Sequence, residues 1–423
     1  MRSRRNAAIE RGVAAILDLG SAKVSCVLLK FDQLLLNGTG LQPKLHVLGA
    51  ATIASRGVRC GEIQDRRELE KSIMRVLTVA QGKAHIRVDH AFICTSGGSL
   101  ESHRPVNTVK INGGRISADD IARVVSTTDL PELAEHRTYI SVQPVNYAID
   151  HRHEISDPRN LKGNLLSVDL HAVSADRTTI DAIVNAVEKC NLAVCGIFSS
   201  AQASAMSALV ESEQDLGAAC VDIGAGVISL AVYYRKNVVF TRTVKLGGRH
   251  VTNDICGALS VAEPVAERMK TMHGSLFFEP RDDEEMIAFR DVDGRHGTIS
   301  KAHLNFFIKP RMEEILETVA AIFADTDFAC LPGQSIVLTG GCSQIQDLDS
   351  TARKILGPHV RFGVPVRLSG LPQEIAGPQY SAVVGTCLTA MVPQAEMSDF
   401  QLAGNAARRK KIGRTFRWIA ENV

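Results

Sequence analysis

The sequence predicts an α/β fold of two similar halves facing each other across a cleft, and three observations predict it. A short apolar stretch, an Asp-x-Gly turn and a second apolar stretch occur twice, with Asp18-Leu19-Gly20-Ser21-Ala22 falling on Asp222-Ile223-Gly224-Ala225-Gly226 at a constant offset of 204. The flanks obey the same offset: Leu17 falls on Val221, Val24 on Ile228, Ser25 on Ser229 and Leu28 on Val232. A third glycine turn, Gly340-Gly341, follows another apolar strand. One such match is weak, whereas two that each open a half of similar size indicate a duplication around a cleft.

Residues 13–17 and 23–29 are short, apolar and β-prone on either side of the first turn, so they read as a hairpin. The basic start MRSRRNAAIERG runs straight into it. Residues 45–51 read as a third strand, and 66–81 as a helix, because Leu69, Ile73, Val76, Leu77 and Ala80 recur at helical spacing. Residues 90–95 form a strand ending in the loop Ser96-Gly97-Gly98-Ser99. The texture changes over 101–175, which reads as a small inserted α/β subdomain. It contains a helix opened by Ser117 and strands at 139–145, 146–150 and 165–175. A helix over 178–190, a strand over 192–198 and a helix over 201–211 complete the first half. The second hairpin starts at Ala218, a polar insert occupies about 250–330, and a strand over 335–338 leads into Thr339-Gly340-Gly341.

Composition narrows the function. The chain has 423 residues, 45% apolar and 22% charged, and a net charge of +2. Residues 406–423 carry six basic side chains against Glu421, a local charge of +5, and the remaining chain is at −3. A nearly neutral body with a basic end implies a local attachment point, not a body that binds nucleic acid. The ten cysteines are dispersed with no C-x-x-C, so they read as small core residues of a reduced, cytoplasmic protein rather than disulfide or zinc ligands. His151 and His153 read as part of a polar loop. The sequence shows no secretory signal and no run of about 18 apolar residues that would span a membrane.

The turns suggest phosphate chemistry. Glycine lets backbone N–H groups approach and wrap the oxygens of a nucleoside triphosphate. Asp18 and Asp222, at strand ends, are placed to hold Mg²⁺ through waters, since that ion keeps most of its hydration and takes one or two carboxylates. Lys23 supplies a point charge. Gly340 and Gly341 offer close approach to the nucleoside. Taken singly, each turn is an ordinary hairpin.

Four segments carry a resemblance: Leu17-Asp18-Leu19-Gly20-Ser21-Ala22-Lys23-Val24, Pro144-Val145-Asn146-Tyr147-Ala148-Ile149-Asp150, Val221-Asp222-Ile223-Gly224-Ala225-Gly226 and Ile336-Val337-Leu338-Thr339-Gly340-Gly341. With the basic end, they resemble the bacterial cell-division FtsA family of the actin/Hsp70/sugar-kinase superfamily along nearly the whole chain. The resemblance implies an actin-like (ribonuclease H-like) duplicated fold. Subdomain 1A would be 12–100 and 176–215 with 380–392 returning to it, 1C (an SHS2-like insert in place of 1B) 101–175, 2A 216–249 and 331–379, and 2B 250–330. A linker over 393–405 would lead to the membrane-targeting helix 406–423. It implies ATP and Mg²⁺ as cofactors, held by Asp18, Gly20, Ser21, Ala22, Lys23, Asp222, Gly224, Ala225, Gly226, Gly340 and Gly341. Gly247 and Gly248 would form the phosphate-side loop entering 2B, and Glu267 with Lys270 would hold ribose and adenine. Read alone, Glu267 and Lys270 are equally an i,i+3 surface ion pair. Arg311 and Glu314 match charged positions of the segment that meets the tail of FtsZ; read alone, 309–314 is an ordinary solvated helix start. Self-association into filaments, contacts with later divisome membrane proteins, and a peripheral location on the cytoplasmic side of the inner membrane at the mid-cell septum are also implied.

Two departures bear on turnover. Ala225 and Val227 replace a glycine and a threonine of the usual second phosphate loop. Enzymatic relatives also place an acid or glutamine near the start of the helix that here reads Ser199-Ser200-Ala201-Gln202, which leaves Gln202 as the candidate to orient water. Nucleotide binding with at most weak hydrolysis is the expectation.

Over 406–423, Ile412, Phe416, Ile419, Ala420 and Val423 follow one helical face, with Lys410, Lys411, Arg414 and Arg417 opposite and Trp418 on the basic flank. That pattern is the signature of an in-plane helix on anionic lipid. The alternatives are a helix docked on the protein's own body, or one on nucleic acid. For the whole chain, the rival readings are a soluble sugar-kinase-type phosphotransferase and an actin-like ATPase of pilus assembly.

Overall fold

The computed structural model describes residues 2–31, 45–111 and 114–390. The linker 393–405 and the segment 406–423, with Ile412, Arg414, Phe416, Arg417, Trp418 and Ile419, lie outside the described residues.

The duplication read from the two turns extends to whole sheets. In the first half the strand order is Ala193–Ser199, His90–Thr95, Val13–Leu19, Lys23–Phe31, Leu45–Ala54. In the second it is Val360–Phe362, Ser335–Thr339, Ala218–Ile223, Ile228–Tyr234, Asn237–Val244. Each first hairpin is antiparallel, and each is extended by two parallel strands. Register repeats as well, because Asp18 faces Ser25 in one hairpin and Asp222 faces Ser229 in the other. The central strands are buried on both faces, which is why they read as continuous apolar runs.

Local signals set the helix starts. The Asp65 side chain accepts from the backbone of Arg67 and Glu68 to open Arg66–Ala84, and Asp176 accepts from Thr179 to open Arg177–Lys189. Ser117 and Asp120 form a capping box for Ala118–Ser126. That helix packs on a sheet of Val106–Lys110, Leu165–Asp176, Arg137–Ile149 and Arg152–Ile155 with its own core of Ile121, Val124, Val125, Leu166 and Val168. The inserted sheet joins the second half through one ladder pair, Glu101 with Arg242.

Four expectations are corrected. Residues 139–150 do not form two strands. Arg137–Ile149 is continuous, and Pro144 is absorbed where the register with Leu165–Asp176 shifts, so its missing N–H breaks nothing. The helix expected over 201–211 ends at Ala208; Leu209 is extended, and a short helix Glu211–Leu216 restarts where the Glu213 carboxylate accepts from Val210 N. The basic start forms a helix, Arg2–Arg11, that precedes the first strand. Residues 309–314 are not a helix start but the middle of Lys301–Ala324, which Ser300 caps and which carries Pro310 in its interior.

Helices Ser200–Ala208 and Ser381–Thr389 cross where the halves meet. Gly385 makes the crossing possible, because a Cβ there would overlap the Ala203 carbonyl group.

Candidate functional site

Between the halves lies a cleft of about 520 Å³. Of the predicted site residues, Asp18, Gly20, Ser21, Ala22, Lys23, Asp222, Gly224, Ala225, Gly226, Gly248, Glu267, Lys270 and Gly341 all line it. Residues more than 300 positions apart in the chain converge because each turn ends a strand at the same end of its sheet.

The two turns match in their bonding. Gly20 N donates to Lys23 O at 3.1 Å and Gly224 N to Val227 O at 3.0 Å, and a Cβ on either glycine would lie 2.9 Å from that same carbonyl. Gly226 lets the second turn close on the first, since a Cβ there would meet Ser21 Oγ at 2.7 Å. Gly247 and Gly340 stand behind the lining as buttresses. A Cβ on Gly247 would lie 2.5 Å from Gly224 O, and Gly340, at φ +91°, packs against the Asp222 carboxylate. Gly248 N and Arg249 N then donate to Gly224 O and Ala225 O at 3.0 and 2.6 Å, fixing the loop that enters the second insert.

The electrostatics are those of an interrupted ion cluster. Burial raises the Asp18 carboxyl to about 7, with Lys23 opposing and Asp222 adding to the rise. Burial lowers the Lys23 ammonium to about 8 against the pull of Asp18 and Asp222. Burial also raises Asp222, although its Oδ2 accepts from Ser204 Oγ at 2.5 Å. Lys23 Nζ is buried without a hydrogen-bond partner among the described residues and rests 3.4 Å from the centroid of the Tyr380 ring. A buried ammonium without an acceptor costs free energy unless a ligand supplies one. The glycine cradle, this ammonium and two carboxylates at strand ends fit a polyphosphate with a hydrated divalent cation.

Lys270 and Glu267 are more than a surface pair. Lys270 is buried and donates to Glu267 Oε2 at 2.7 Å, Thr252 Oγ1 at 2.9 Å and Gly248 O at 3.0 Å. Gln202 does not reach the cleft; it lines a separate cavity, and Ser200, bonded to Ser229 Oγ at 2.9 Å, occupies that helix start instead. Arg311 and Glu314 lie on Lys301–Ala324, away from the cleft lining. Arg311 holds both carboxylate oxygens of Asp254, at 2.7 and 3.1 Å, and also pairs with Glu314.

Sequence reasoning missed Ser96, Gln344 and Gln379 on the cleft wall. For Ser96 the duplication held the signal. Cys94 pairs with Asp18 as Thr339 pairs with Asp222, so Ser96 is the counterpart of Gly341. Gln344 donates to Gln379 Oε1 at 3.0 Å, across 35 residues, and nothing in the sequence pattern pointed to that pair.

The family profile for cell division protein FtsA matches residues 219–385, and that for the SHS2 domain inserted in FTSA matches 97–174. The cell division protein FtsA of Agrobacterium fabrum is 31% identical, over 97% of this chain and 95% of its own length. The chain belongs to the FtsA family. FtsA of Escherichia coli K12 is 28% identical over 89% of this chain and 90% of its own length. A profile for the type IV pilus assembly protein PilM also matches, over 157–278. Among solved structures, a PilM-PilN type IV pilus biogenesis complex aligns with a TM-score of 0.60 at 15% identity, over 89% of this chain and 98% of that one. MreB5 of Spiroplasma citri bound to ADP aligns at 0.53, also at 15% identity, over 90% and 96%. The fold of this FtsA-family chain is therefore actin-like, and its role is in cell division.

Proposed function

We propose that this chain binds Mg-ATP between its halves, polymerises on the cytoplasmic face of the inner membrane and anchors FtsZ filaments at the division septum. The observation that carries the nucleotide reading is the buried Lys23 ammonium, which has no hydrogen-bond partner among the described residues and feels the charges of Asp18 and Asp222 where the two glycine turns meet. Asp18 and Asp222 would hold Mg²⁺ through its waters; Gly20, Ser21, Ala22, Lys23, Gly224, Ala225 and Gly226 would cradle the phosphates. Gly248 would close the phosphate side from the loop entering the second insert, and Glu267, Lys270 and Gly341 would bound the nucleoside. Two neighbours of the same fold, MreB5 bound to ADP and MreB 5 bound to AMPPNP, support a nucleotide in this cleft. The metal would neutralise phosphate charge. With Ser200 where a water-orienting side chain is expected, turnover is slow.

The pH dependence of binding follows from the two shifted groups. Asp18 must be ionised to face a cation, so affinity for Mg-ATP falls as pH drops below about 7. Lys23 must be protonated to meet phosphate, so affinity falls again above about 8. Titration calorimetry is expected to give a bell with its maximum between these values. A flat profile from pH 6 to 9 would place neither group on the ligand. Stability of the empty protein runs the other way on the acid side. Protonated Asp18 favours the fold, a contribution complete below 3.8 and lost as pH rises through about 7.

The membrane reading rests on the amphipathic pattern of 406–423. The FtsZ reading rests on Arg311 and Glu314, the latter half exposed on the second insert. Later divisome membrane proteins would meet the insert 101–175. The test uses two variants. Glu314→Lys is expected to weaken FtsZ binding about tenfold with Mg-ATP affinity unchanged, as a reversed rim charge does. Phe416→Glu is expected to abolish sedimentation with anionic vesicles while FtsZ binding persists. FtsZ affinity unaltered by Glu314→Lys would move that interface elsewhere.

A further inference from the structure

A second cavity, of about 340 Å³, shares no lining residue with the cleft. It lies where both halves and the insert meet, walled by Tyr147, Phe198, Met206, Tyr233 and Val238. Two polar groups in its lining have no counterpart. Among the described residues the buried Tyr147 hydroxyl has no hydrogen-bond partner, and Gln202, 8% exposed, makes no hydrogen bond through its amide. Through Val145, Ser156, Lys236 and Asn237 the cavity continues into a groove of about 980 Å³. On that groove Glu154 pairs with Arg235, Asp169 with Arg104, and Lys236 with Glu211. Asp215, Asp325 and Asp327 are exposed on its rim and have no ion pair among the described residues.

The position of this surface in the chain selects its occupant. Thr389 lines the cavity, and the described chain ends one residue later at Ala390, whose carbonyl accepts from the buried Arg5 guanidinium at 3.3 Å. The described chain therefore ends beside the cavity. Residues 391–405 can span at most about 50 Å, at roughly 3.3–3.6 Å per residue, so 406–423 is within reach. That segment carries +5 and an apolar set of Ile412, Phe416 and Ile419.

We propose that the cavity and groove dock this chain's own segment 406–423 when it is off the membrane, an inference that rests on reading the segment as a membrane foot. Wound as a helix, the segment would turn Ile412, Phe416 and Ile419 to the apolar walls and its basic side chains to Asp215, Asp325 and Asp327. Membrane and dock then compete for one apolar stripe, and the docked form keeps a greasy helix covered in the cytoplasm.

Trp418 is the only tryptophan of the chain, so its fluorescence reports the segment without a label. The full chain is compared with its Asp215→Asn/Asp325→Asn/Asp327→Asn variant and with the peptide 406–423, first without lipid. Trp418 of the parent is expected to be shielded from acrylamide relative to the peptide, and the variant is expected to lose the shielding. With phosphatidylglycerol vesicles the variant should bind about tenfold more tightly, as release from a ten-to-one docked population requires. Parent fluorescence quenched as readily as the peptide's overturns the dock. Shielding that grows with protein concentration assigns the groove to a second copy and also overturns it. The membrane reading is judged separately, by whether vesicles shift Trp418 at all.

Discussion

Gly385→Ala is expected to destabilise the protein by about 3 kcal/mol or more, at the upper end for overpacking a core contact. The helices Ser200–Ala208 and Ser381–Thr389 touch through backbone at this point, and the added methyl would overlap the Ala203 carbonyl group, which cannot swing away as a side-chain tip can. Ser207 Oγ donating to Ser381 O at 2.8 Å, and Thr339 Oγ1 with Ser381 Oγ at 2.7 Å, fix the same crossing. Relief would require the helices to separate and the floor of the cleft to open, since Ser200 and Ala382 both line it. Gly82→Ala serves as the opposite control. Gly82 lies in Arg66–Ala84 with nothing within 4 Å of the site of the new methyl, so the change should stabilise by about 0.5–1 kcal/mol. Denaturant unfolding of the two variants should move in opposite directions. Equal small shifts would mean that the two helices do not touch through backbone at Gly385.

Asp222→Asn is expected to lower Mg-dependent ATP affinity by roughly 100-fold, about 2.7 kcal/mol, while raising the stability of the empty protein. The side chain keeps its shape and can still accept from Ser204 Oγ, so the strand end stays intact. What disappears is a buried negative charge, raised in pKa by burial and only partly offset by Lys23 and Ser204. Removing such a charge relieves the empty fold, but takes away one of the two carboxylates available to the cation. A general packing defect would lower both quantities together, so opposite signs in calorimetry and in unfolding identify the metal role. Unchanged affinity in a folded Asp222→Asn protein would exclude it.

How much of this was legible in the sequence depended on whether a signal was local or relational. The hairpins, the cap at Ser117 and the duplicated turns were readable because turn and cap chemistry is written in adjacent residues. The cleft was readable for the same reason, since most of its lining residues named from the sequence sit on one of three glycine turns. The break after Ala208 was not, because it depends on Glu213 folding back onto Val210 N. The single strand across Pro144 was not, because only its partner strand shows that the register shifts there. Gln202 was misplaced by two positions along the helix, since a helix start read to within a residue or two leaves side-chain direction undetermined. Ser200, not Gln202, faces the cleft. The helix Arg2–Arg11 carries no apolar periodicity. It is held by Ala8 in the core, by Arg4 with Glu188 at 2.6 Å and by Arg5 on Ala390, contacts with residues nearly two hundred and four hundred positions away.

The most direct test of the whole account is three-component sedimentation of FtsZ filaments, this protein with Mg-ATP, and anionic vesicles. FtsZ is expected in the vesicle fraction when the intact chain is present, and to stay out of that fraction when the chain is omitted or carries Phe416→Glu. FtsZ reaching the vesicles equally with the Phe416→Glu protein, or failing to reach them with the intact chain, would contradict a membrane-anchoring role.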